Sequence, residues 1–257
     1  WAYAAGVPVP AIHAAGPPSG SLDYAWNLMD FAPGQPLLSG LSAIGALRNV
    51  RVIARQMPDV LAQAAARLHQ CDTRSLAADL AATGRDPSIT TFLRRLGEAA
   101  VALGRNDLAD HAQRLEAASP AAAVLCHGDL HPFNVLVDGN DWTLIDWSTA
   151  VIADPHYDLA FTTLMLAHPP LGGPRPIQAV VRAIGNRLAR HFLRRYQHHT
   201  GLAVDPLLLD WGRSVHALRA LVEVAEWEAA GQINTHAGHP WLQLRPTLEL
   251  QLKVVRQ

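Results

Sequence analysis

Apolar residues recur at helical spacing over residues 56–70, where Val60, Leu61, Ala64, Ala65 and Leu68 share one face. Pro58 suits the first turn of that helix, because a helix start has backbone N–H groups to spare. The same period predicts helices over 90–103 and 107–118, separated by Gly104-Arg105-Asn106 and stopped by Ser119-Pro120. Three longer helices are expected over 176–197, 206–230 and 240–255, joined by Gly- and Pro-rich loops. Strand-like stretches are shorter. Residues 23–31 read as a strand leading into Ala32-Pro-Gly-Gln-Pro36, and 121–126 as a short buried strand. Val135-Leu-Val137 and Trp142-Thr-Leu-Ile145 flank Asp138-Gly-Asn-Asp141, the pattern of a β-hairpin. Asp154-Pro155 marks a further helix start, with the carboxylate capping free N–H groups.

Composition narrows the class. At 257 residues and 49% hydrophobic, the chain is long enough for one large core or two modest ones. A net charge of −1, with acids and bases mixed along the sequence, argues against nucleic acid or an anionic membrane as partner, since neither finds a basic stripe. Cys71 and Cys126 are too few for a disulfide framework, so a reducing compartment is expected. With neither a membrane-length apolar run nor a secretory signal, the expected location is cytoplasmic.

The chemistry concentrates between the 121–126 strand and the hairpin. His127-Gly-Asp-Leu-His-Pro-Phe-Asn134 is followed by Ile145-Asp146-Trp147. Phosphoryl transfer needs a carboxylate to orient the attacking hydroxyl and oxygen ligands for Mg²⁺. Asp129 suits the first task; Asn134 and Asp146, brought together by the hairpin, suit the second. Two other readings are weaker. Cys126, His127, Asp129 and His131 lie close in sequence, but a zinc site needs a second ligand pair at recognisable spacing, and none stands out. A Ser-His-Asp hydrolase lacks its nucleophile-elbow signature.

HGDLHPFN with IDW resembles the aminoglycoside phosphotransferase family, with its choline kinase-like relatives, and through it the protein-kinase fold. Gly128 stands where protein kinases carry Arg, and His131 where they carry Lys. The resemblance implies an α+β, protein-kinase-like fold with a truncated N-terminal lobe of few antiparallel strands. A large, mostly helical C-terminal lobe would carry the hairpin. It divides the chain into 1–32, remnant of the N-terminal lobe and hinge, and 33–257, the C-terminal lobe. It also implies ATP and Mg²⁺ as cofactors, an adenine site framed by Met29, Asp30, Ala32, Leu136 and Ile145, and a small-molecule hydroxyl as acceptor. Asp129 is then the base, with Asn134 and Asp146 on the metal. Asp158, in Asp154-Pro-His-Tyr-Asp158-Leu-Ala160, is expected to brace the 127–134 loop, and His127 to fix its backbone. His131 is left between approaching the transferred phosphate and facing solvent. Glu223, Glu226 and Glu228 are expected as a solvated helix face near Arg219, and Trp227 and Trp241 as core.

The family's glycine-rich phosphate loop and strand lysine have no counterpart here, and the chain begins with Trp1 rather than Met. It is expected to be most of a kinase rather than a whole one. The alternative is a catalytically impaired nucleotide-binding module; a metal-dependent phosphohydrolase is a third reading.

Overall fold

The computed structural model describes residues 1–18, 24–38, 43–169 and 175–254. Asp23, Val255 and most of the loop before the 176–197 helix lie outside these. Strands β1 (Ile12–Gly16) and β2 (Trp26–Met29) form an antiparallel pair. A two-residue strand β3 (Gln35–Pro36) follows, then helices α1 (Ala43–His69), α2 (Arg74–Ala82), α3 (Ile89–Ala102) and α4 (Asn106–Ala117). Next come β4 (Val124–Cys126), the hairpin β5 (Val135–Asp138) and β6 (Asp141–Leu144), and β7 (Val151–Ala153). Helices α5 (His156–Ala167), α6 (Arg175–Thr200), α7 (Pro206–Ala229) and α8 (Pro240–Val254) complete the chain.

Two small sheets position the site. In one, β3 pairs antiparallel with β5 and β5 with β6; in the other, β4 pairs with β7. Val135 and Leu144 are paired and fully buried, so the alternation of a strand turns Leu136 and Ile145 to the opposite face. Gly34 makes the close β3–β5 approach possible: its φ is +96°, and a Cβ there would lie 2.5 Å from the Val137 carbonyl oxygen.

Apolar side chains collect in two cores. One joins α3, α4, α7 and α8 through Leu93, Leu108, Leu218 and Leu248; the other joins α1 and α6 through Leu61, Leu68 and Phe192. Helix α5 belongs to both, giving Tyr157 and Phe161 to the first and Leu159 and Leu166 to the second. Nine of the twelve residues of α5 are buried, Asp158 and Thr162 among them, so the helix has almost no solvent face.

The structure corrects several expectations about elements. Helix α1 begins at Ala43, not 56, so Pro58 lies in its interior rather than its first turn. Proline there has no N–H for the Ala54 carbonyl four residues back. His191 Nδ1 of α6 lies 3.3 Å from that carbonyl oxygen and supplies the missing donor. The α2 helix was not expected; none of its residues is buried, so no core-facing stripe announces it. The 121–126 strand shortens to β4, and the 23–31 strand to β2 among the described residues.

Candidate active site

The loop between β4 and β5 has little regular structure, yet most of its backbone groups are paired. Asp158, buried on α5, accepts the N–H groups of His127 at 2.8 Å and Gly128 at 2.7 Å. The carbonyl of His127 accepts from the Thr149 hydroxyl, that of Gly128 from Arg219 Nη1 of α7, and that of Leu130 from the Thr162 hydroxyl. Buried backbone polar groups demand partners, and two helices and a turn supply them here. Gly128 is required: its φ is +76°, and a Cβ would sit 2.2 Å from the Thr149 carbonyl oxygen. An arginine at this position, as in protein kinases, has no room.

Asp129 faces Asn134 across this loop. The Asn134 amide nitrogen donates to the Asp129 carbonyl at 2.9 Å and to its carboxylate at 3.0 Å. Both amide hydrogens are thereby used, and Asn134 Oδ1 has no partner among the described residues. His131 neither faces solvent nor stands apart: its Nε2 is 3.5 Å from Asp129 Oδ2, and its Nδ1 accepts the Phe133 N–H. Burial alone raises the Asp129 carboxyl. His131, Arg219 and His127 outweigh it and hold Asp129 below the usual carboxylate range.

His127 ties the loop to the hairpin. Its Nδ1 accepts the Asp129 N–H at 3.3 Å, so Nε2 carries the proton and donates to the Ile145 carbonyl at 2.9 Å. Burial depresses the His127 imidazole against the pull of Asp158, which keeps it neutral at pH 7. The Ile145 N–H donates to the Asn134 carbonyl at 3.0 Å. Ile145 is therefore clamped to both ends of the loop, and Asp146 follows it directly. Asp146 has φ +61°, the one positive value among described non-glycine residues, in an αL conformation aspartate tolerates better than most. Its Oδ1 accepts the Ser148 hydroxyl at 2.7 Å; Oδ2 has no partner among the described residues. Asn134 Oδ1 and Asp146 Oδ2 are the hard, unspent oxygens that Mg²⁺ prefers.

The hinge-like segment reaches this site through β3. Leu136 pairs with Pro36 across the β3–β5 ladder, four residues beyond Ala32. Met29 is 45% exposed at the end of β2. The Asp30 N–H is already committed to Ala11 O at 2.9 Å, and its carboxylate to His13 Nε2 at 2.6 Å. The Asp30 carbonyl and the Ala32 N–H have no protein partner among the described residues.

Comparison with known proteins decides the family. The model of the "phosphotransferase enzyme family" matches residues 1–196. The chain belongs to this family. No curated protein sequence matches. Among solved structures, an aminoglycoside-3′-phosphotransferase of type VIII is 26% identical, over 85% of this chain and 76% of that one, with a TM-score of 0.60. A putative aminoglycoside phosphotransferase from Ralstonia eutropha JMP134 is 18% identical over 98% and 79%, with a TM-score of 0.62. A glucosamine kinase is 18% identical over 100% and 72%, with a TM-score of 0.54. The kinase-like, mostly helical fold with few antiparallel strands is common to them, and this phosphotransferase shares it.

Several groups that shape the phosphotransferase loop carry no signal in the sequence. His69, the last residue of α1, lies 3.2 Å from Asp158 Oδ2 through Nε2 and 2.9 Å from the Tyr196 hydroxyl through Nδ1. With Cys126, whose Sγ is 4.0 Å from His69 Nε2, these form a trio with ligand atoms in mutual reach. It is not the Cys126, His127, Asp129 and His131 set that the sequence brought up for zinc. Both Asp158 oxygens serve loop N–H groups, and burial pushes the Cys126 thiol well up, so the trio is a hydrogen-bonded brace. Arg219 was expected beside the acids of α7; it turns to Gly128 instead. Glu223 accepts from Trp241 Nε1 and Glu228 pairs with Arg245, which leaves Glu226 as the solvated member of that set.

Proposed function

We propose that this phosphotransferase moves the γ-phosphate of Mg·ATP to a hydroxyl of a small molecule, with Asp129 orienting that hydroxyl. The observation that carries the reading is the loop itself. An ionised carboxylate and a free amide oxygen are held in one rigid backbone, and a second free carboxylate oxygen follows the residue clamped to it. Mg²⁺, held by Asn134 Oδ1 and Asp146 Oδ2, supplies charge neutralisation on the phosphates. Asp129 is ionised and accepts the acceptor's hydroxyl hydrogen, lining the oxygen up for in-line attack; its low basicity suits a loose transition state, in which the proton leaves late. The Asp30 carbonyl and Ala32 N–H are free to meet the adenine edge, with Met29, Leu136 and Ile145 as apolar walls. That the glucosamine kinase was solved with glucosamine, ADP and inorganic phosphate supports both nucleotide use and a hydroxylated acceptor.

The test combines calorimetry with an acceptor screen. Mg·ATP is expected to bind, Asp146→Asn to lose the Mg²⁺ dependence of that binding, and Asp129→Asn to keep it. In a screen of amino sugars, aminoglycosides and amino alcohols, Asp129→Asn is expected to transfer phosphate about 10²–10³-fold more slowly. Binding indifferent to Mg²⁺, or transfer untouched by Asp129→Asn, overturns the assignment. A second reading, nucleotide binding without transfer, draws on one fact: the one lysine in residues 1–257 is Lys253, on α8. Mg·ATP binding with no transfer to any acceptor favours it.

A further inference from the structure

Helix α6 carries Arg175, Arg182, Arg187, Arg190, Arg194 and Arg195 and no acid in 26 residues. Six arginines against a whole-chain charge of −1 leave −7 for everything else, and no acid stands between Asp158 and Asp205, so charge is segregated along this stretch of the sequence and, with the helix, in space. The expectation that no basic stripe exists is thereby corrected. Val180, Ile184, Arg187, Arg194 and His198 follow one another at steps of three, four or seven residues and therefore line up along one side of the helix, with Arg190 beside them. The opposite side is spent on the fold: Phe192 and Tyr196 are buried against α1 and α5.

Among the described residues, the exposed arginines of α6 stand without acids, as do Arg55, Arg85 and Arg95, but only on α6 do they follow one another along one face. Arg74, Arg94, Arg105, Arg213 and Arg245 each pair with a carboxylate. Arg182, Arg187, Arg190 and Arg194 are exposed and have no partner among the described residues. Arg195 is paired, with Asp59 of α1. At the head of the same stripe, Val180 is 58% and Ile184 37% exposed.

We propose that this face of α6 docks on an anionic phospholipid surface. Guanidinium groups in a row match phosphate headgroups, and two aliphatic side chains at the end of the row enter the shallow interfacial layer. Phosphates of a nucleic acid match the arginines equally but give Val180 and Ile184 nothing to do, and no exposed aromatic on α6 offers a stacking platform. The attachment is peripheral: no helix among the described residues is long and apolar enough to cross a membrane. It is also independent of the chemistry at Asp129.

The test is flotation of the full chain with vesicles of phosphatidylcholine, with and without about one third phosphatidylglycerol. Binding is expected only to the anionic vesicles and is expected to fall when salt is raised from about 0.15 to 0.5 M, where charges are screened within a few ångströms. Each basic side chain near such a surface contributes about fivefold, so Arg187→Gln with Arg194→Gln should weaken partitioning about 25-fold. Val180→Ser with Ile184→Ser should weaken it too, while leaving the salt dependence unchanged. These side chains are exposed, so circular dichroism and melting temperature should match the parent for both pairs. Equal binding to neutral vesicles, no binding to either, or indifference to the arginine substitutions overturns the proposal. So does tight binding of a 30-nucleotide RNA that needs the arginines but not Val180 and Ile184, without vesicle binding.

Discussion

Gly128 shows how much one missing side chain decides. Its peptide donates to Asp158, accepts from Arg219 and runs within van der Waals reach of Thr149. Gly128→Ala adds a Cβ 2.2 Å from a backbone oxygen at a left-handed φ. It is expected to cost about 2–4 kcal/mol in urea unfolding and to slow transfer by displacing Asp129, the residue next along. A variant as stable as the parent would mean that the Thr149 turn yields freely. That a glycine sits between His127 and Asp129 is plain in the sequence. That the residue facing it is Thr149, and that the cation on its carbonyl comes from α7, is not.

At the scale of elements, close approach does what binary patterning does not describe. Gly212 lets α7 lie against α5: a Cβ there would meet the His156 carbonyl oxygen at 2.7 Å and Ala160 Cβ at 2.9 Å. Gly212→Ala therefore forces apart the two helices that hold Asp158 and Arg219. A loss of about 1–3 kcal/mol is expected by denaturant titration. An alanine on an exposed helix surface would instead stabilise, so the sign of the change reports whether the contact is as tight as described. Pro58 teaches the converse. Inside α1 it is tolerated because His191, far away in sequence, stands at the carbonyl it leaves open. Read locally, a proline marks a start, and the reading misplaced α1 for that reason. α2 escaped because a helix with no buried residue has no stripe to detect.

The whole molecule is held by two cores that share α5, and a buried imidazole makes their joint stability depend on pH. His216 on α7 stacks on Tyr157 of α5 at 4.1 Å between ring centroids and donates from Nε2 to the Tyr157 carbonyl; its Nδ1 has no partner among the described residues. Burial, reinforced by the Arg219 charge, pushes its pKa down to about 3. Unfolded, the same imidazole titrates near 6.5, so between those values the unfolded chain holds the extra proton. Its contribution is complete above pH 6.5 and is lost as pH falls towards 3, at a slope of about 1.4 kcal/mol per pH unit. Folding free energies from urea titrations at pH 7, 6, 5 and 4 should decline accordingly. His127, depressed in the same direction by burial, steepens the decline. A free energy flat from pH 7 to 5 would mean that water reaches the His216 ring.

What the sequence by itself determined is what depends on neighbours along the chain: the 127–134 loop with its acid and amide, the hairpin that turns Asp146 back beside it, and most helix spans. Spacing and turn chemistry are local, so the nearness of Asp129 to Asn134, and of the hairpin's end at Ile145 to both, was legible in the sequence. The tertiary structure alone decided who holds them. His69, Thr149, Thr162 and Arg219 come from four separate stretches, and a hydrogen bond to a backbone group leaves no pattern in the order of residues. It also decided the surface. The charges of α6 balance in a sum over the chain, but the helix has one side buried against α1 and α5, and Arg187, Arg190 and Arg194 stand in a row on the other.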